Sequence, residues 1–227
     1  MIIKEYQNGY KVAKLVNAVK NKNYAVFAIG GGAINAVWTV SKNKILSKYI
    51  TFYQCDNEPL GCGNDVFLGK QLAETYLKKE NILAKASFHK AIVISTLGGG
   101  TGTGAAPVFS KYLFEKGIEV TNIVSLSFAF EGITKLEKCQ EAVAEMSKYA
   151  KTTIIFNEEI YKTIFAGKKF KEFLSIFDGY IEKALFYAIG ITNQKTSWYM
   201  SLKNSMHNCC ASLSKLLPHR SNFTRYK

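Results

Sequence analysis

Apolar residues fall along this chain in short runs separated by longer amphipathic stretches. The runs Ala25–Ile29, Tyr49–Tyr53, Ala91–Ser95, Asn122–Leu126 and Thr152–Phe156 have strand length and are rich in β-branched and aromatic residues. Several carry no alternating polar position, as expected of strands buried on both faces. The stretches between them read as helices. That alternation predicts an α/β fold with a doubly wound, mostly parallel sheet over residues 25–192. Its binding crevice should lie at the carboxyl ends of the strands. Before it, Val12, Leu15, Val16 and Val19 recur at helical spacing between lysines, which predicts an N-terminal amphipathic helix within residues 1–24, packed on the domain as an extension. After it, residues 193–227 turn to Asn, Ser, Cys, His and both arginines, with no acidic residue, and read as a marginally structured tail.

One segment carries specific chemistry. Residues 98–104 are glycine at every position except Thr101 and Thr103. They follow the run Ala91–Ser95 and precede Ala105-Ala106-Pro107-Val108-Phe109, which reads as the opening of a helix with Pro107 in its first turn. Glycine removes the Cβ atoms that keep an anion away from the backbone. Successive N–H groups can then converge on phosphate oxygens, aided by the positive end of the helix dipole. On this reading a bulky residue at Gly102 blocks the phosphate's approach.

The glycine run resembles the phosphate-gripping signature of the tubulin/FtsZ family, and other segments are similar to that family in the same order. Gly30-Gly31-Gly32 with Asn35-Ala36 resembles its first glycine loop, with Ala33 and Ile34 as departures. Gln54-Cys55-Asp56 resembles its Asn-Thr-Asp, and Gly61-Cys62-Gly63-Asn64 its loop facing the terminal phosphate. Phe128-Ala129-Phe130-Glu131-Gly132 with Lys135 resembles the ribose loop, and Ile154-Ile155-Phe156-Asn157 a strand whose Asn lies near the sugar and base. Phe177, Glu182 and Gly190-Ile191 resemble the central helix that stacks on guanine and reads its edge.

The resemblance implies a GTP/GDP-binding protein of a cytoplasmic cell-division or cytoskeletal filament system, with Mg2+ reached through the phosphates. Phosphate binding would fall to Gly31, Gly32, Asn35, Gly61, Gly63, Gly98, Gly99, Gly100, Thr101, Gly102, Thr103 and Gly104. Ribose binding would fall to Glu131 and Lys135, and base binding to Asn157, Phe177 and Glu182, with Glu182 standing where the family has Asp or Asn. The implied partners are copies of this chain or a full-length relative.

Two departures bear on activity. The connection between Asp56 and Gly61 is short where the family inserts a further strand or hairpin, which shortens the wall beside the phosphates. The family's acidic loop after the central helix, which positions the attacking water in the next subunit's site, has no counterpart in residues 193–227. Aspartate occurs only at Asp56, Asp65 and Asp178. The expectation is therefore a GTP site without catalytic residues of its own and without the family's second domain, its GTPase activity weak or dependent on a partner subunit. The alternatives are a non-enzymatic filament cap or regulator, and a dinucleotide-binding oxidoreductase domain. The oxidoreductase reading leaves Gly98–Gly104 and Phe130-Glu131-Gly132 unexplained, and Asn35 replaces the third glycine of that fingerprint.

Composition changes this picture in one respect. At 227 residues and 48% hydrophobic, the chain can bury a sizeable core. No apolar stretch approaches the roughly 18–20 residues of a membrane span, and the N-terminus lacks a secretion signal's apolar segment. The cysteines at 55, 62, 139, 209 and 210 have no paired spacing and read as reduced thiols. His207, Cys209, Cys210 and His219 fit no common zinc pattern, so no metal site is assigned. The informative quantity is the net charge of +13. Arginine, the better reader of bases and phosphates, occurs only at Arg220 and Arg225, which argues against nucleic acid and for solvated lysine faces.

Overall fold

The computed structural model describes residues 2–7, 10–15, 23–57, 61–79, 88–156, 167 and 169–191. They form one sheet with helices on both faces. In chain order its strands are β1 (Ile2–Gln7), β2 (Tyr10–Leu15), β3 (Tyr24–Ile29), β4 (Ile50–Asn57), β5 (Lys90–Thr96), β6 (Glu119–Ser125) and β7 (Thr152–Phe156). Across the sheet they run β1-β2-β4-β3-β5-β6-β7. From β4 to β7 every pairing is parallel, and all the strands expected from the apolar runs are present.

The helices are α1 (Gly31–Val40), α2 (Leu46–Tyr49), α3 (Val66–Lys79), α4 (Gly100–Glu115), α5 (Ile133–Ser147) and α6 (Phe170–Ala188). Alternation along β3 sends Ala25, Phe27 and Ile29 to one face, where α3, α4 and α5 supply Ala73, Phe109 and Met146. Val26 and Ala28 go to the other face, against Val37 of α1 and Ile181 and Leu185 of α6. Both faces are apolar because both are covered. Phe27 anchors the first layer: its ring stacks on Tyr53 at 4.8 Å and meets Phe109 at 6.0 Å.

The start of the chain corrects the sequence reading. Where a helix was expected within residues 1–24, Ile2–Gln7 and Tyr10–Leu15 pair instead as antiparallel strands, Gln7 with Tyr10 and Ile2 with Leu15, while Val16 and Val19 lie outside the described residues. The missed signal is Asn8-Gly9, the dipeptide that most favours a two-residue hairpin connection. The spacing of Val12 and Leu15 fits a helix, but the sheet offers β2 a row of backbone partners along β4, from Tyr10–Asn57 to Leu15–Phe52. These two strands occupy the sheet edge beside β4.

α3 and α4 cross backbone against backbone. A Cβ on Gly104 would stand 2.2 Å from the Val66 carbonyl oxygen, and one on Gly69 2.3 Å from that of Gly100. Both distances are impossible contacts, so glycine is obligatory at this crossing. Two substitutions measure these layers in urea. Phe27→Ala should cost about 3–5 kcal/mol, through lost burial and the cavity left behind. Gly104→Ala should lower the midpoint as well, although alanine is the better helix former. A Gly104→Ala protein more stable than the parent would contradict the crossing geometry.

Candidate functional site

The carboxyl ends of the parallel strands open into a cleft of about 720 Å³, within the usual range for small-molecule sites. Each wall comes from a connection leaving a strand. Gly30, Gly31 and Gly32 follow β3, Gln54 and Asp56 end β4, and Leu97 to Gly102 follow β5. The loop after β6 supplies Glu131, and Lys135 reaches in from the first turn of α5.

The local backbone explains the shape. β3 ends at Gly30, whose φ of 84° favours glycine and whose amide donates to the Cys55 carbonyl at 2.8 Å. α1 then starts with no side-chain cap and no acidic residue in its first turn. β5 ends similarly at Gly98, with φ 117°, and α4 also starts without a side-chain cap or a first-turn acid. Ordinary helices satisfy their leading amides with Ser, Thr, Asp or Asn and gather acids near the positive end of the dipole. Here two helix N-termini meet one cleft and neither does so. Their unspent amides and dipoles suit an anion.

The glycines of residues 98–104 have two different tasks, which sequence reasoning merged into one. Gly98, Gly99, Gly100 and Gly102 line the cleft, as do Gly31, Gly32, Gly61 and Gly63. Gly102 is in addition pressed onto β5, where a Cβ would stand 2.3 Å from the Thr96 carbonyl oxygen. Gly100 is equally closed, with the Asp65 carbonyl 2.5 Å from the site of its Cβ. Gly104 packs on α3 and does not line the cleft. A bulky residue at Gly102 therefore breaks the seating of α4 before it obstructs any phosphate.

Only Gly31 and Gly99 combine a wall position with ordinary room for a Cβ and an unstrained backbone. The nearest atoms to such a Cβ are Asp56 Oδ2 and the Gly63 carbonyl, each at 3.7 Å.

The threonines fasten loops. Thr103, buried and outside the lining, accepts a hydrogen bond from the Gly98 amide at 2.8 Å. Thr101 lines the cleft and accepts one from the Cys62 amide at 3.2 Å. The Gly100 amide donates to the Gly63 carbonyl at 2.6 Å, so the loop at 61–64 hangs from α4 by two bonds. Pro107 lies well inside α4 and not in its first turn, because the helix begins at Gly100. Packing against β5 and α3 makes the glycines helical despite their poor propensity.

At the rim, Lys135 Nζ donates to Glu131 Oε2 at 2.6 Å, and the Phe128 amide donates to Glu131 Oε1 at 3.0 Å. Partial burial pushes the Glu131 carboxyl up, but these two donors and the lysine charge outweigh it and hold the group below its ordinary range. Glu131 is thus an oriented, ionised acceptor, and the Lys135 stem lies over Gly98.

Not every expected residue joins the cleft. Asn35 is exposed on α1, outside the lining. Phe177 is a core residue, packed edge-on against Phe156 at 5.6 Å because its position on α6 faces the sheet. Glu182 accepts a hydrogen bond from Asn43, beyond the far end of α1, about 15 Å of helix away from the glycine loops. Asn157 lies outside the described residues. Conversely, Ile34, Gln54, Thr96 and Leu97 line the cleft without having been expected there as site residues. Position at a strand's carboxyl end was the available signal for the last three.

Comparison with known proteins agrees with this geometry. A sequence model of the tubulin/FtsZ family, GTPase domain, matches residues 39–165, more than half of the chain. The cell division protein FtsZ of Porphyromonas gingivalis is 28% identical over 166 residues, covering 63% of this chain and 36% of the relative. That of Buchnera aphidicola is 34% identical over 110 residues, covering 48% and 28%. The chain thus spans well under half the length of these relatives. Among solved structures, the empty FtsZ dimer of M. jannaschii has a TM-score of 0.60 at 18% identity, covering 74% of this chain and 55% of that one. The GTPγS-bound protofilament of CetZ2 from Haloferax volcanii gives 0.61 at 18% identity, covering 79% and 62%. The sheet order, the glycine-lined cleft and the sequence match converge: this chain belongs to the tubulin/FtsZ family and carries the fold of its GTPase domain.

Proposed function

We propose that the cleft binds GTP and GDP, phosphates against the first turns of α1 and α4 and ribose against Glu131. The observation that carries this reading is the meeting of two uncapped, acid-free helix N-termini at one glycine-lined wall. Gly31, Gly32, Gly99, Thr101 and Gly102 offer their amides to the phosphates, and Gly61 and Gly63 close the side of the terminal phosphate. Lys135 steadies Glu131, whose free lone pairs accept from the ribose hydroxyls. Guanine is supported by the family match alone, because Glu182 is engaged with Asn43 outside the cleft.

Magnesium fits the same arrangement. Asp56 lines the wall next to Gly31 and Gly61, and a carboxylate beside phosphates calls for a cation between them. Among the described residues no group of three or more His, Cys, Asp or Glu could hold a metal alone. The nucleotide's own oxygens, Asp56 and water would have to complete the shell, which is the usual way Mg2+ is held. The ion would neutralise charge on the phosphates.

Hydrolysis we propose to be weak in the isolated chain and dependent on a partner. Phosphoryl transfer to water requires the water to be positioned as well as the charge stabilised. The wall supplies the second of these. Glu131 is committed to Lys135 and the Phe128 amide, and residues 193–227 carry no carboxylate side chain. A second copy or a longer relative could bring an acid to the open mouth of the cleft. A chain that binds nucleotide without turnover would act instead as a filament cap.

Gly31→Val should weaken a fluorescent GTP analogue at least about tenfold while leaving the unfolding free energy measured in urea within about 1 kcal/mol of the parent's. Gly102→Val should lose stability and binding together. Unchanged affinity in Gly31→Val would remove the phosphates from this wall.

Glu182→Gln reports a different link. It should loosen the contact between α6 and the turn after α1, lowering stability, while the preference for GTP over ATP stays as in the parent. A selective loss of GTP affinity would instead assign the guanine edge to Glu182.

For turnover, phosphate release from the purified chain should be close to background and rise when an FtsZ is added. Steady release by the chain alone, abolished by Gly31→Val, would show that an acid within this chain positions the water.

A further inference from the structure

The far end of α1 carries a second surface. Residues 41–49 fold into a small knob, tied by the Ser41 hydroxyl to the Trp38 carbonyl at 2.9 Å and by the Ile45 and Leu46 amides to Asn43 Oδ1 at 2.8 and 3.1 Å. Its inner side is fixed, with Leu46 and Ile50 fully buried. Its outer side is not covered: Trp38 is 44% exposed, Ile45 51% and Tyr49 44%. Ile45, the N-cap of α2 with helical φ and ψ, and Tyr49, its last residue, are four residues apart, and Lys44 and Lys48 have the same spacing. Lys42 lies over the Trp38 ring at 5.5 Å. All three lysines are exposed.

The stretch of sequence that forms this knob carries no acidic residue. None occurs in the sequence between Glu5 and Asp56. Of the acids on α6 that reach across, Glu182 takes the Asn43 donor and Asp178 the Thr39 hydroxyl. The lysines here therefore have neither of these carboxylates as a close partner.

We propose that this knob docks on an anionic membrane surface, as a peripheral contact. Each component has a use there. Trp and Tyr have apolar bodies with polar tips, the form enriched at the level of lipid headgroups. Ile45 adds aliphatic area that can enter the acyl boundary, and the lysines meet the negative surface potential at about 1 kcal/mol each. Nucleic acid fits less well, since the patch has no arginine and the most exposed of its large apolar side chains, Ile45, is aliphatic. A second copy of this chain fits less well too, because three like charges would face a protein of net charge +13. The knob lies at the opposite end of α1 from the cleft, so the two contacts can be separated by experiment.

The test is cosedimentation of the full chain with phosphatidylcholine vesicles, with and without phosphatidylglycerol. Binding should require the anionic lipid and fall with added salt. Lys42→Gln, Lys44→Gln and Lys48→Gln combined should weaken it roughly 100-fold, while binding of a GTP analogue and the urea midpoint stay as in the parent. The chain has two tryptophans, and Trp198→Phe leaves Trp38 to report alone. Its emission should shift to the blue on anionic vesicles and be quenched by brominated lipid. Equal binding to neutral vesicles, no binding, or anionic binding untouched by the triple variant would each overturn the proposal. Pelleting without vesicles that the triple variant abolishes would overturn it in favour of self-association, and patch-dependent retention on RNA in favour of nucleic acid.

Discussion

The first two turns of α4 are held where side chains do not fit. Gly102 meets the carbonyl of Thr96 on β5, Gly100 meets the loop leading into α3, and Gly104 meets α3 itself. These contacts fix the helix N-terminus against the sheet, and the rest of the site hangs from it. The loop at 61–64 is bonded to Thr101 and Gly100, the amide of Gly98 to Thr103, and the hydroxyl of Ser95 lies within reach of the carbonyls of Gly102 and Ile29. A helix that glycine alone would disfavour by about 1 kcal/mol per residue is thus stabilised by what it touches. The same lack of Cβ atoms bares the amides at its tip, so the packing and the proposed anion site come from one sequence feature.

This dual use explains what could and could not be read from the sequence. The parallel strands were legible because each is buried on both faces and so written in apolar residues, as in Ala25–Ile29 and Ala91–Ser95. The cleft was legible because a glycine run between a buried strand and a helix bares the backbone where the strand ends. The division of labour among the glycines was not, since packing glycines and lining glycines look alike until α3 is placed beside α4. Pro107 misled for the same reason: it suggested a helix start near Ala105, whereas tertiary contact had already made residues 100–104 helical.

Other readings turned on competing patterns. Helical spacing from Val12 to Val19 reads as a helix, but Tyr10–Leu15 is a strand, and the turn dipeptide Asn8-Gly9 before it constrains pairing more tightly than a short periodicity. Phe177 and Glu182 were assigned to a base by resemblance, and α6 turns Phe177 into the core and ties Glu182 to Asn43. A position on a helix becomes a site only when the helix face is known, and that depends on which residues the sheet buries.

The electrostatics of the two ends of α1 also differ in kind. On the binding mode proposed above, the cleft would hold phosphate with backbone amides and dipoles, which act at contact range in a partly enclosed space. Lys135, the lysine that lines it among the described residues, is already paired with Glu131. On that binding mode the chain's large positive charge is not spent on the nucleotide. Exposed lysines farther than a Debye length of about 8 Å from the cleft have little influence on it at physiological salt. A surplus of this size raises self-repulsion within the folded chain. Where lysines also adjoin exposed Trp38, Ile45 and Tyr49, on a knob whose inner side is firmly packed, an extended anionic surface answers both the charge and the apolar area. A small anion would answer only the charge.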